Sequence, residues 1–169
     1  MTANHLKISN SASPSRLSTF LGMDDAELTE FVLHQEEPRF RAKQLMAWLY
    51  RRLASDFDQM TDISRKFRRR LEQTASIGSL RVADRKESVD GLVKYLFEDG
   101  AGGGIEAVYI PEAKRTTICL STQMGCALGC AFCATGRMGL KRDLTAGEII
   151  EQLITIARDT GCLPSNVVL

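Results

Sequence analysis

Gln123-Met124-Gly125-Cys126-Ala127-Leu128-Gly129-Cys130-Ala131-Phe132-Cys133-Ala134-Thr135-Gly136 places three of the five cysteines of the 169-residue chain within eight residues and spaces them with glycine. A single buried thiol is an ordinary small hydrophobe. Three on one glycine-rich turn point to a common centre, and metal suits that centre best. Structural zinc takes four protein ligands. No fourth Cys or His follows at finger distance: the only later thiol is Cys162, and His5 and His34 lie far upstream. Three thiolates can instead hold three irons of a cubane cluster, normally held by four, and leave the fourth iron open to a small molecule. A redox disulfide and a zinc knuckle are the alternatives for the same residues.

The flanks of this loop give the fold class. Upstream, Thr116 to Ser121 reads as a buried strand running straight into the loop. Downstream, Thr145 and Glu148 form a capping box ahead of the apolar stripe Ile149, Ile150, Leu153, Ile154 and Ala157, Gly161 is a helix stop, and Asn166 to Leu169 begins a second strand. Strand, loop, helix, strand is the unit of a parallel α/β barrel, whose chemistry sits on loops at the C-terminal ends of strands. One such unit cannot close a barrel or cover both faces of a parallel sheet. The expectation is an N-terminal piece of a longer protein. Apolar groups along Ile118 to Leu120 and on the Ile149 to Ala157 face would then be exposed in isolation.

Further upstream, residues 79–87, 92–98 and 105–110 alternate in strand fashion between Asp90-Gly91 and the glycine run Gly100 to Gly104. They predict a small antiparallel sheet that Pro111 ends. Gly102 to Gly104 lacks the Lys-Ser/Thr of a phosphate loop and reads as a loose hairpin tip.

The N-terminal part is helical. Residues 1–16 offer little to bury and predict a frayed tail. Asp24 and Glu27 form a capping box before Leu28, Phe31 and Val32, and Pro38 closes that helix. A second helix carries Phe40, Leu45, Met46, Leu49 and Leu53 on its apolar side, and a third, from about Asp62, carries Ile63, Phe67 and Leu71. Residues 39–70 hold ten basic and three acidic side chains, a balance of +7 in a chain of net charge +1. Such a footprint suits a polyanion, with Trp48 and Tyr50 available to stack on bases. A solvated basic face over a core Trp accounts for the same pattern.

Composition adds the compartment: 44% hydrophobic and 25% charged residues make a soluble globular protein. The absence of a signal-like or membrane-spanning apolar run predicts a cytoplasmic protein with no membrane partner. Thiols stay reduced there, which favours a metal or catalytic reading of the cysteine loop.

Three motifs together resemble the RlmN/Cfr family of radical S-adenosylmethionine (radical SAM) RNA methyltransferases. They are the cysteine loop preceded by Ile118-Cys119-Leu120-Ser121-Thr122, then Phe40-Arg41-Ala42-Lys43-Gln44-Leu45, and Glu106-Ala107-Val108-Tyr109-Ile110-Pro111. The resemblance runs from about residue 16 to the end. It implies an α/β fold with a tail at 1–16, a helical RNA-binding domain at 17–78, an antiparallel linker sheet at 79–113, and at 114–169 the first βα unit of a truncated partial (β/α) barrel.

The resemblance also implies chemistry. A 4Fe-4S cluster on Cys126, Cys130 and Cys133 would bind S-adenosyl-L-methionine at its open iron, with Phe132 near the adenine, and cleave it to a 5'-deoxyadenosyl radical. Methylation would fall on carbon-2 of adenosine 2503 in 23S rRNA and of adenosine 37 in tRNAs, or on carbon-8 in a Cfr-type member. In the family a C-terminal Cys carries the methyl group; by match, Glu106 is the proton acceptor and Cys119 the resolving thiol that closes a disulfide. A reductant such as flavodoxin or ferredoxin and a monomeric state are implied. Read without the resemblance, Cys119 is a buried strand Cys and Glu106 a solvent-facing strand carboxylate. Cys162 matches nothing in the family and reads as structural. The family's Gly-Glu-Pro stretch, later SAM-binding segments and methyl-carrying Cys have no counterpart here, so the chain is expected not to complete a turnover. A non-catalytic RNA-binding module with zinc on the same cysteines is the rival reading.

Overall fold

A computed structural model describes residues 17–169; the tail expected at 1–16 lies outside the described residues. Helix α1 (Asp25–His34) starts at Asp24, whose carboxylate accepts the Glu27 N–H while Glu27 accepts the Asp24 N–H, both at 2.8 Å. That reciprocal cap satisfies two of the N–H groups a helix start leaves orphaned. Helix α2 (Phe40–Tyr50) buries Ala42, Leu45 and Leu49, and α3 (Arg65–Thr74) buries Phe67 and Leu71. The third helix starts later than expected because Ser64 caps it, accepting the Phe67 N–H at 3.3 Å. Phe40 departs from its expected place on the apolar side. It is 54% exposed, because it begins α2 ahead of the turns that pack, and the Arg41 guanidinium lies over its ring.

The periodicity did not reveal the tie that closes this helical unit. Strand β1 (Ser18–Thr19) pairs in parallel with β2 (Ala75–Ser76), and the Phe20 and Leu21 N–H groups donate to Ser76 and Ile77 carbonyls at 2.9 Å. Both ends of the unit are thereby strapped together. Phe20 then enters the core edge-on to Phe31 and Phe57.

Beyond Gly78 the elements follow in order: β3 (Arg81–Glu87), β4 (Val93–Glu98), β5 (Gly104–Pro111), β6 (Thr116–Cys119), β7 (Gln123–Met124), α4 (Ala134–Arg137), β8 (Arg142–Asp143), α5 (Ala146–Thr160) and β9 (Asn166–Val168). One five-stranded sheet runs β3-β4-β5-β6-β9, antiparallel up to β6 and parallel between β6 and β9. The expectation that Pro111 ends the antiparallel sheet is therefore corrected, since Pro111 pairs with Thr116. The Glu112 N–H donates to the Arg115 carbonyl, which makes 111/116 the non-hydrogen-bonded pair. The proline nitrogen faces the other side, beyond the last β4–β5 partners, Val93 and Tyr109, where no ladder bond is lost.

Helix α5 returns the chain from β6 to β9 and is apolar on two sides. Ile149, Leu153 and Ile156 pack with the sheet core of Val93, Tyr95, Phe97, Ile105 and Ile118, while Ile150, Leu153 and Ile154 pack with the helical unit. The exposure expected along Ile118 to Leu120 and on α5 is corrected accordingly. Ile118 and Leu120 are buried in the core that the antiparallel strands share with α5, and Ile154 is buried against the helical unit, which covers the helix face that a lone βα unit would leave open.

Candidate functional site

The cysteine loop leaves the C-terminal end of β6 and is closed at its base. β7 pairs antiparallel with β8, the Lys141 N–H donates to the Met124 carbonyl at 2.9 Å, and the Leu144 N–H to the Thr122 carbonyl at 2.8 Å. Gly125, at φ 78°, is required here: a Cβ at that position would lie 1.9 Å from the Gly139 carbonyl oxygen. Gln152, fully buried on α5, grips the strand just before the loop, its amide accepting from the Ser121 N–H and donating to the Ser121 carbonyl, both at 3.0 Å.

Within the loop, Cys133 caps the short helix α4 and its Sγ accepts the Gly136 N–H at 3.5 Å; the Cys126 Sγ accepts the Leu128 N–H at the same distance. Phe132 is 94% exposed. The donor set, three thiols with backbone N–H groups aimed at two of them, fits an iron-sulfur cluster in its chemistry. The side chains themselves are not drawn together. Among the described residues no three His, Cys, Asp or Glu side chains stand close enough to hold a metal. All five cysteines are free, and Cys162, read as structural, is exposed.

Glu106 and Cys119 share one face of the sheet. Cys119 pairs with Val108, two residues along β5 from Glu106, and the period of two puts all three on the face opposite Ile105, Ala107 and Ile118. Glu106 is exposed and paired with Lys94 at 2.7 Å; its carbonyl accepts the Ser121 hydroxyl at 2.7 Å. The register thus brings both residues to one face of the sheet, and Cys119 ends the strand that the cysteine loop follows.

In this setting the comparisons with known proteins are informative. The family model for the ribosomal RNA large subunit methyltransferase N-terminal domain matches residues 19–77. The dual-specificity RNA methyltransferase RlmN of Halorhodospira halophila is 47% identical over 133 residues, covering 79% of this chain and 37% of that protein. RlmN of Saccharophagus degradans is 40% identical, covering 90% of this chain and 38% of that protein. The chain belongs to the RlmN family. The crystal structure of a radical SAM methyltransferase from Sphaerobacter thermophilus superposes with a TM-score of 0.84 at 39% identity, over 90% of this chain and 46% of that one. The chain thus spans less than half the length of these family members.

Several residues that position the site escaped the sequence reading. Arg142 bonds Glu148 at 2.6 and 2.9 Å and Asp99 at 3.0 Å. Its fork holds the Asp99 carboxyl down at about 2, helped by the Gly103 and Ala101 N–H groups, and lowers Glu148 as well. Glu151 accepts the Ser79 and Leu80 N–H groups at 2.8 and 2.9 Å, yet burial keeps its carboxyl above the usual range. Glu148 and Gln152, one helical turn apart in an otherwise apolar stripe, were the available signal.

The basic block divides in two. Arg41 and Arg70 pair with Glu37, Arg68 donates to the Asp58 carbonyl, and Arg52 stacks on Trp48. Trp48 itself donates to Asp62, and the Tyr50 hydroxyl accepts the Gly22 N–H, so both expected stacking aromatics are engaged within the unit. Arg39, Lys43, Arg51, Arg65, Lys66 and Arg69 are exposed with no ion pair among the described residues.

Proposed function

We propose that this chain carries the RNA-docking and cluster-holding parts of a radical SAM methyltransferase that modifies carbon-2 of adenosine 2503 in 23S rRNA and adenosine 37 in tRNAs. The observation that carries this reading is a base-closed loop with three thiols that follows directly on β6, the strand that ends in Cys119 and lies beside the β5 strand that carries Glu106. The relatives are named dual-specificity RNA methyltransferases, which supports RNA of more than one kind as substrate.

Cys126, Cys130 and Cys133 would hold the 4Fe-4S cluster, and Phe132 would offer an aromatic face to the nucleotide. Bound there, the cluster supplies the electron and the open iron with which S-adenosyl-L-methionine is cleaved. Glu106, positioned by Lys94, takes the proton that leaves the adenine ring, and the Cys119 thiolate attacks the sulfur of the protein–RNA adduct, forming a disulfide with that cysteine as its S–C bond breaks and the methylated base is released. The unpaired cations of α2 and α3 bind RNA phosphates.

Anaerobic reconstitution tests the cluster. About four irons per chain with broad visible absorption, lost in Cys130→Ala, are expected; colourless protein with bound zinc would refute it. In the full-length protein, Cys119→Ala is expected to accumulate a covalent protein–RNA adduct. Lys43→Gln and Arg69→Gln should each reduce the slope of log binding constant against log salt by about 0.7 for single-stranded RNA.

A further inference from the structure

The glycine-rich hairpin between β4 and β5 has no place in the chemistry above, and it is not loose. Asp99 Oδ1 accepts the Ala101 and Gly103 N–H groups, both at 2.9 Å, and organises the turn around itself. Its second oxygen faces outward and receives Arg142 at 3.0 Å. Arg142 belongs to β8, the strand that closes the cysteine loop, and the other edge of its fork is bonded to Glu148 in the first turn of α5. Glu148 in turn accepts the Thr145 N–H at 2.8 Å as part of the helix cap. Gly103 backs directly onto Met124 of β7, so close that a Cβ there would meet its terminal methyl at 2.3 Å. Both strands at the base of the loop are therefore seated on the hairpin, β7 by contact and β8 by charge.

Forked, charge-assisted bonds fix direction as well as distance. A lysine could keep the charge but could not reach both carboxylates in a plane. The loop's thiols stand apart from one another, and the structure concentrates rigidity at the base instead.

We propose that Arg142 and Asp99 form a clasp that seats the base of the cysteine loop on the β4–β5 hairpin, and that Arg142 is a positioning residue for cluster loading. The loading part rests on the cluster reading given above; the clasp does not. Closing the base sets where β7 and β8 send the chain into the loop that carries the three thiols. Without Arg142 the two strands keep their own short ladder and β7 keeps its contact with Gly103, but β8 loses its ties to both Asp99 and Glu148.

Two readouts on the whole chain test this. In metal-free protein, hydrogen exchange at the Lys141 and Leu144 amides should quicken roughly tenfold in Arg142→Gln. Arg115→Gln, which removes the exposed pair with Glu112, should leave it unchanged. In anaerobically reconstituted protein, Arg142→Gln should hold iron against a chelator about tenfold more weakly. Arg142→Lys should be intermediate and Arg115→Gln unchanged. The Trp48 fluorescence midpoint separates these effects from global unfolding, because Trp48 is the only tryptophan and lies in the helical unit. Unchanged amide exchange overturns the clasp. Faster exchange with wild-type iron retention overturns its role in loading. A wild-type chain that takes up no iron refutes the cluster reading and the loading role, leaving the clasp to the exchange data.

Discussion

Asp99 is a carboxyl whose protonation is strongly shifted by folding into this arrangement. Its carboxyl is held at about 2 by Arg142 and by two backbone N–H donors, against 3.8 for a free side chain. A carboxyl depressed in the folded state stabilises that state fully above its unfolded value and loses the contribution as pH falls through the folded one. The clasp should therefore be intact above about pH 4 and open on descent towards pH 2. A carbon-13 titration of the Asp99 carboxyl is expected to show a midpoint near 2, moving up towards 3.8 in Arg142→Gln. Gln152 allows a second test at this scale. Gln152→Ala would leave the Ser121 N–H and carbonyl without their partners and should cost about 2 kcal/mol in chemical denaturation.

At the scale of elements, the features legible in the sequence were those whose partners lie within one turn. Asp24 with Glu27 and Thr145 with Glu148 both form reciprocal caps, and Gly161 ends α5 at φ 66°. Thr145→Ala should lower stability by about 1 kcal/mol, read as a reduced thermal midpoint. The cysteine motif was equally legible because it is contiguous. What could not be read joins distant segments: β1 with β2 across 57 residues, Arg142 with Asp99 across 43, and Glu151 with Ser79 across 72. No periodicity reports such pairs. Pro111 shows a different limit. A proline removes a donor, but whether a rung is lost depends on which way the nitrogen faces, and that is fixed only when β6 pairs with β5. Glycines at element contacts follow the same logic. A Cβ at Gly147 in α5 would lie 2.4 Å from the Leu21 carbonyl oxygen, so Gly147→Val should cost about 2 kcal/mol or more by forcing α5 off the 20–22 segment.

Across the whole molecule, two apolar cores meet at α5, and Leu153 packs with both. Arg158 adds a polar bond between the same parts, donating from Nε to the Leu53 carbonyl at 2.7 Å and from its other nitrogen to that of Ala54. Unfolding in urea should therefore be one transition. Trp48 fluorescence and far-UV circular dichroism are expected to superimpose, and Leu153→Ala should lower both midpoints together, for a loss of about 2 kcal/mol in unfolding free energy. Separate midpoints would show two independent units. The sequence suggested a boundary near residue 78, where composition changes from helical to strand-like. It could not show that the floor of the first unit is supplied by a helix some seventy residues later. That dependence limits how portable the helical unit is. Residues 17–78 grafted onto a foreign barrel would arrive without Ile150, Leu153 and Ile154 beneath them and without the Glu151 carboxylate that anchors the chain just beyond them at Ser79. A working chimera would have to transplant the outer surface of α5 along with the helices it supports.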